Sequence, residues 1–231
     1  MKTTKDLKIP FVWADRRPIL LDRLFYIPTH YDLHAEWPAL CWTDPAVFGN
    51  ANPVHIEYCS GNGQWIGERA QENPQLNWVA VEKDFQRARK IWLKIHREAL
   101  PNLFVVHGDA LTFTRYYTPP ASVDEIYVNF PDPWPKLRHA KHRLIHPEFL
   151  GELLKITRPC AKGIFVTDDA PYASQMIQAL SLCPEWTFLF PSPHHKTEWS
   201  DYGNSFFGDL WKTKGRMIHY IPFRKNDDKH N

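Results

Sequence analysis

From about residue 54 onward, short apolar runs alternate with stretches of helical periodicity. That order is expected of a parallel sheet built from βαβ units. The spacing predicts strands over 54–58, 78–82, 103–107, 123–129, 163–167, 186–190 and 217–223. Helices are predicted over 65–72, 84–99, 147–157 and 173–182. In the 84–99 helix, Phe85, Ala88, Ile91, Trp92 and Ile95 recur near helical spacing, while Arg87, Arg89, Lys90, Lys94 and Arg97 fill the other faces. Such a charged face reads first as a solvated one. Residues 1–50 break this pattern: Pro10, Pro18, Pro28, Pro38 and Pro45 interrupt the chain, with Phe11, Trp13, Phe25, Tyr26 and Tyr31 between them. The expectation is an N-terminal arm over 1–50 laid on one core domain over 51–223, then a frayed tail over 224–231.

Composition narrows the class. With 231 residues, 43% apolar and 23% charged, the chain is an ordinary globular one and excludes disordered, collagen-like and disulfide-scaffold classes. The formal charge is only +2, so a nucleic-acid partner would have to be met by a local patch. Cys41, Cys59, Cys160 and Cys183 form no C-x-x-C pair, which fits a reducing compartment. The first residues lack a continuous apolar segment, and no run approaches the roughly 18 apolar residues of a membrane span. A cytoplasmic protein with no membrane contact is expected. His139, His142, His194 and His195 carry no acid–histidine spacing of the zinc kind, so no metal is expected.

Candidate chemistry begins where the first predicted strand ends, in Glu57-Tyr58-Cys59-Ser60-Gly61-Asn62-Gly63. Gly61 and Gly63 allow a backbone to pass close to a ligand, although a plain tight connection needs no more than this. The next strand ends in Glu82, whose carboxylate can accept from both ribose hydroxyls. The third is followed by Asp109. Ligands of open α/β sheets bind at strand carboxyl ends, which is where these acids fall. The turn is not G-x-G-x-x-G, and Glu57 repels phosphate; both disfavour a dinucleotide. A cationic, phosphate-free adenosyl ligand, S-adenosylmethionine, suits the acids.

After the fourth strand comes Phe130-Pro131-Asp132-Pro133-Trp134-Pro135-Lys136. Its prolines keep the segment out of helix and hold Asp132 and Trp134 at the sheet edge. Residues 136–143 then add Lys136, Arg138, Lys141 and Arg143 with two histidines, a local positive patch for phosphate contacts that the lysines near the N-terminus could extend. Trp134 could stack on an exposed base or pack under the loop.

The seven-residue string and its basic continuation resemble the signature of the bacterial tRNA (guanine-N7-)-methyltransferases, and the resemblance runs from about Ile56 to Phe223. It implies an α/β fold, the Rossmann-like class I methyltransferase, with a mostly parallel seven-stranded sheet and helices on both faces. It implies methyl transfer from S-adenosylmethionine to N7 of a guanine in the tRNA variable loop; a monomer or homodimer is expected. Matched to the family's motifs, Glu57, Gly61, Gly63, Glu82, Asp109 and Asp132 are cofactor residues, and Asp132 is also the catalytic one. Lys136, Arg138, Asp168, Thr197 and Ser200 fall at substrate positions. Ser200 stands where the family motif has glutamate, and Cys59 where it usually has glycine. Two rivals remain: a catalytically impaired RNA-binding protein of the same fold, and an adenine or exocyclic-amine methyltransferase, loosely suggested by Asn129 to Trp134.

Overall fold

The computed structural model describes residues 17–227. In chain order the elements are β1 (Ile19–Leu21), β2 (Leu24–Tyr26), β3 (Val54–Tyr58), α1 (Gln64–Glu72), β4 (Asn77–Glu82), α2 (Phe85–Arg97), β5 (Leu103–His107) and α3 (Ala110–Tyr116). There follow β6 (Val123–Asn129), α4 (Pro147–Ile156), β7 (Thr157–Thr167), α5 (Ala170–Ser181), β8 (Trp186–Phe188), α6 (Phe206–Thr213) and β9 (His219–Lys225), with short 3-10 turns between some of them. These residues group into two compact units, one of residues 17–54 and 60–119 and one of 55–59 and 120–227.

In the first unit the strand order is β1-β2-β5-β4, with β2, β5 and β4 parallel and β1 antiparallel to β2. All six residues of β4 and the first four of β5 are buried, as strands covered on both faces must be. The proline-rich segment expected as an arm therefore contributes a hairpin to the sheet. Asp22 and Arg23 close it with φ of +45° and +69°, the left-handed pair that a two-residue hairpin turn needs. Trp92 of α2 donates its indole N–H to the Asp22 carbonyl at 2.8 Å, tying the hairpin to the helix.

In the second unit the order is β3-β6-β7-β9-β8; β3, β6 and β7 are parallel, and β9 runs antiparallel to both β7 and β8. Gly163 on β7 faces the ring of Phe223 on β9, and a Cβ there would lie 2.2 Å from its Cζ. Phe149, Leu150 and Leu153 of α4 and Tyr172 and Met176 of α5 complete this core.

The seven expected strands and four expected helices are present, with shifted ends. β7 begins at Thr157 rather than 163, because Pro159 and the positive φ of Cys160 (+62°) mark a bulge that reads as loop in sequence. α5 begins at Ala170, since Pro171 in a first turn has no helical N–H to lose and Asp169 caps the helix by accepting from Tyr172 N. α3 and α6 were not expected; Asp109 and Ser205 cap them. Arg224 and Lys225, assigned to the tail, belong to β9, and residues 228–231 lie outside the described residues.

Candidate functional site

The turn after β3 is built by its own hydrogen bonds. Ser60 N donates to Val81 O (3.2 Å), Gly63 N to Ser60 O (2.9 Å), and Asn62 Oδ1 accepts from Gln64 N (3.1 Å). Gly61 and Gly63 have φ of +56° and +73°. A Cβ on Gly63 would also lie 2.6 Å from Ile91 Cγ1, so packing against α2 demands this glycine whether or not a ligand approaches. Cys59 adopts the left-handed conformation (φ +62°) where glycine costs least.

Glu82 is 6% exposed. Its Oε2 accepts from Gly61 N and its Oε1 from Asp84 N, each at 2.8 Å. The glycine turn and the acid are thus one structure, and each pinned oxygen keeps a second lone pair for a ribose hydroxyl. Burial outweighs the two amide donors and raises the Glu82 carboxyl above its usual range. Asp109 is exposed and its Oδ1 accepts from Thr112 N (3.0 Å) and Thr112 Oγ1 (3.1 Å), a helix cap that the sequence reading had not assigned to it. His34, from the expected arm, stacks on Tyr116 of α3 at 5.2 Å and its Nδ1 lies 2.6 Å from the Tyr117 hydroxyl. The arm's middle therefore lies against the helix that Asp109 caps.

In the second unit Glu57 is 1% exposed on β3, and its Oε1 accepts from Asn129 Nδ2 at 2.6 Å. Asn129 Oδ1 in turn accepts from the Tyr202 hydroxyl. Burial, reinforced by the nearby Glu57 charge, pushes the Tyr202 phenol well above its usual pKa. Sequence reasoning missed both partners. Asn129 could have been found as the last polar residue of a buried strand; nothing in the sequence singles out Tyr202.

The Phe130–Lys136 loop leaves the end of β6 with Phe130 at φ +49° and its N–H bonded to Val166 O at 2.9 Å. Asp132 is exposed and makes no hydrogen bond to another described residue. Trp134, 37% exposed, lies beside the rings of His142 (5.3 Å) and His139 (5.8 Å). Lys136, Arg138 and Lys141 are exposed, as a phosphate-binding patch requires. Arg143 is not: it is 8% exposed and spends its guanidinium on the carbonyls of Pro133 and Trp134 and on Gln175. That corrects its expected place among the phosphate contacts. The N-terminal lysines Lys2, Lys5 and Lys8 lie outside the described residues.

Asp168 follows β7 and pairs with Arg216, whose guanidinium carbon lies 4.1 Å from the centre of the Trp211 ring. Asp168, Asp169, Ala170, Arg216, Met217 and His219 line an open hollow of about 510 Å³. The His219 ring lies 4.8 Å from that of His195; burial, then that neighbour, lowers its pKa. Thr197 and Ser200 are exposed and are not among the residues lining this hollow. Lys196, just before Thr197, bridges to Tyr220 through both backbone groups (2.9 and 2.8 Å). Among the described residues no group of three or more His, Cys, Asp or Glu side chains could hold a metal ion, and no helix is long and apolar enough to cross a membrane.

Comparison with known proteins places this geometry in a wider group. The family model described as "Putative methyltransferase" matches residues 51–219. A tRNA (guanine-N(7)-)-methyltransferase of Chlamydia felis is 44% identical over 224 residues, covering 96% of each chain. One of Geobacter metallireducens is 28% identical over 91% of this chain and 97% of its own. Among solved structures, the 16S rRNA methyltransferase KamB superposes with a TM-score of 0.58 at 17% identity, over 78% of this chain and 90% of that one. TrmN from Thermus thermophilus superposes with a TM-score of 0.54 at 17% identity, over 78% of this chain and 48% of its own. These likenesses carry the Rossmann-like class I methyltransferase fold.

Proposed function

The chain belongs to the tRNA (guanine-N(7)-)-methyltransferase family, and from that premise we propose that it transfers a methyl group from S-adenosylmethionine to N7 of a guanine in the tRNA variable loop, in the cytoplasm, as a monomer or homodimer. The observation that carries this reading is the agreement with the Chlamydia felis enzyme, 44% identity across 96% of both chains. The Phe130–Lys136 string supports it, with Asp132 exposed and its carboxylate uncommitted among the described residues.

The residues present suit the cofactor. Glu82 is held by two amides with acceptor capacity to spare, and the acids Glu57, Glu82 and Asp109 favour a cation over a pyrophosphate. Glu57, Gly61, Gly63, Glu82, Asp109 and Asp132 would hold it. When bound, S-adenosylmethionine supplies a methyl carbon activated by a positively charged sulfonium. Guanine N7 carries an in-plane lone pair in the neutral base, so no proton has to leave before attack. The protein's main task is therefore alignment, which can supply up to about 7–11 kcal/mol. Asp132 acts as an acceptor for guanine N1–H and the exocyclic amine, orienting the base and stabilising charge that develops on the ring. Lys136 and Arg138 hold backbone phosphate, and Asp168, Thr197 and Ser200 serve the substrate end.

The test is incubation with unmodified tRNA transcripts and methyl-labelled S-adenosylmethionine, followed by digestion to nucleosides. Label in 7-methylguanosine mapping to the variable loop is expected. Label in methyladenosine would favour the exocyclic-amine reading, and cofactor binding without label would favour the impaired RNA-binding one. Asp132→Asn should lose turnover; near-normal turnover with normal guanine preference would remove its assigned role.

A further inference from the structure

The loop that carries Asp132 has few means of holding itself. Pro131, Pro133 and Pro135 have no N–H to donate, and Phe130 and Trp134 sit at φ of +49° and +41°, where side-chain-bearing residues are strained. Carbonyls in such a loop need donors from elsewhere.

Arg143 provides them. Its Nε donates to Pro133 O at 2.7 Å, Nη2 reaches Trp134 O at 3.4 Å, and Nη1 donates to Gln175 Oε1. The guanidinium carbon lies 5.0 Å from the centre of the Tyr172 ring. Among the described residues no carboxylate pairs with it. A guanidinium this buried, with neutral acceptors along its fork and a ring beneath it, is placed to fix backbone rather than to meet solvent phosphate. Its supports are themselves fixed. The Tyr172 hydroxyl accepts from Ile145 N (3.1 Å), Gln175 Nε2 donates to Ile145 O (3.3 Å), and both residues ride on α5, whose cap Asp169 follows Asp168.

We propose that Arg143 is a positioning residue: braced on Tyr172 and Gln175 of α5, it fixes the backbone at Pro133 and Trp134 and so sets where the Asp132 carboxylate stands relative to the guanine. The proposal rests on the role given to Asp132 above. It requires the planar fork, because an ammonium cannot span two successive carbonyls and Gln175 while lying flat on a ring.

The experiment uses the full chain as wild type, Arg143→Lys and Gln175→Ala, reading kcat, KM for tRNA, and tRNA affinity against salt. Arg143→Lys keeps the charge yet should lower kcat at least about tenfold, with KM changed less than about twofold and an unaltered salt slope. Gln175→Ala, which removes a support without touching the loop, should lower kcat about threefold and keeps the proposal testable if Arg143→Lys folds poorly. Arg143→Lys with kcat within twofold of wild type would overturn it. So would, where Arg143→Lys does not fold, Gln175→Ala with unchanged kcat. Wild-type protein that makes no 7-methylguanosine would instead sink the functional reading.

Discussion

Removing one oxygen from Tyr202 tests whether the buried line Glu57–Asn129–Tyr202 organises the acidic end of β3. In Tyr202→Phe the ring keeps its place between Tyr127 and Tyr220, at 6.4 and 5.1 Å, while Asn129 Oδ1 loses the hydroxyl that donates to it. All three side chains are buried, so water does not readily replace the donor. An unsatisfied buried acceptor costs about 1–3 kcal/mol. For a chain of this size, about 2–4 °C of Tm accompanies each kcal/mol, so the midpoint should fall by roughly 2–12 °C. A loosened Asn129 also frees Glu57, and S-adenosylmethionine affinity should weaken by up to about tenfold, or 1.4 kcal/mol. Because burial keeps the phenol protonated well past its ordinary pKa, the deficit should stay flat from about pH 6 to 9. Calorimetric unfolding and titration with the cofactor read both quantities. A midpoint within one degree of wild type, together with unchanged cofactor affinity, would show that the line does not bear on either.

Glu82 gives a pH dependence of definite sign. Its carboxyl is raised by burial, so the folded chain binds the proton more tightly than the unfolded one; stability should fall as pH rises from the ordinary carboxylate value through the raised one, then level off. Since ribose hydroxyls prefer the ionised form, cofactor affinity should fall when pH drops through that raised value, and Glu82→Gln, titrated in parallel, should lose both slopes. Gly163→Ala should destabilise by about 1–3 kcal/mol through the clash with Phe223, read as a lower denaturant midpoint at unchanged m-value; a midpoint equal to wild type would mean the ring moves aside freely. Lys136→Ala and Lys141→Ala should each reduce the slope of log affinity for tRNA against log salt by about one. Equal slopes in all three proteins would place the phosphate contacts elsewhere.

Much of the sheet was legible in the sequence because strands such as Trp78 to Glu82 and Leu103 to His107 are continuous apolar runs ended by polar residues, and local pattern alone marks them. The acids at the strand ends and the Phe130–Lys136 loop were visible for the same reason: each is a short contiguous string whose residue types already limit its chemistry. The helices at Ala110 and Phe206 escaped because they are short, seven and eight residues, and Asp109, the cap of the first, reads in sequence as a cofactor residue. The hairpin at Ile19–Tyr26 escaped because its value lies in pairing with β5, where Leu24 meets Val105, eighty-one residues on.

What the sequence determined by itself, then, was the kind of fold, the cationic cofactor it suits and the loop string that marks the family, since composition, period and motif are properties of neighbouring residues. Tertiary structure alone decided which side chains are spent on holding others. Arg143 looked like one more charge in a basic run, yet its surroundings turn it inward onto Pro133 and Trp134; Gly63 looked like a ligand glycine, yet Ile91 requires it; Tyr202 had no mark at all until Asn129 met it across seventy-three residues of chain. Burial and partner are fixed by residues far apart in sequence, and a local pattern carries no record of them.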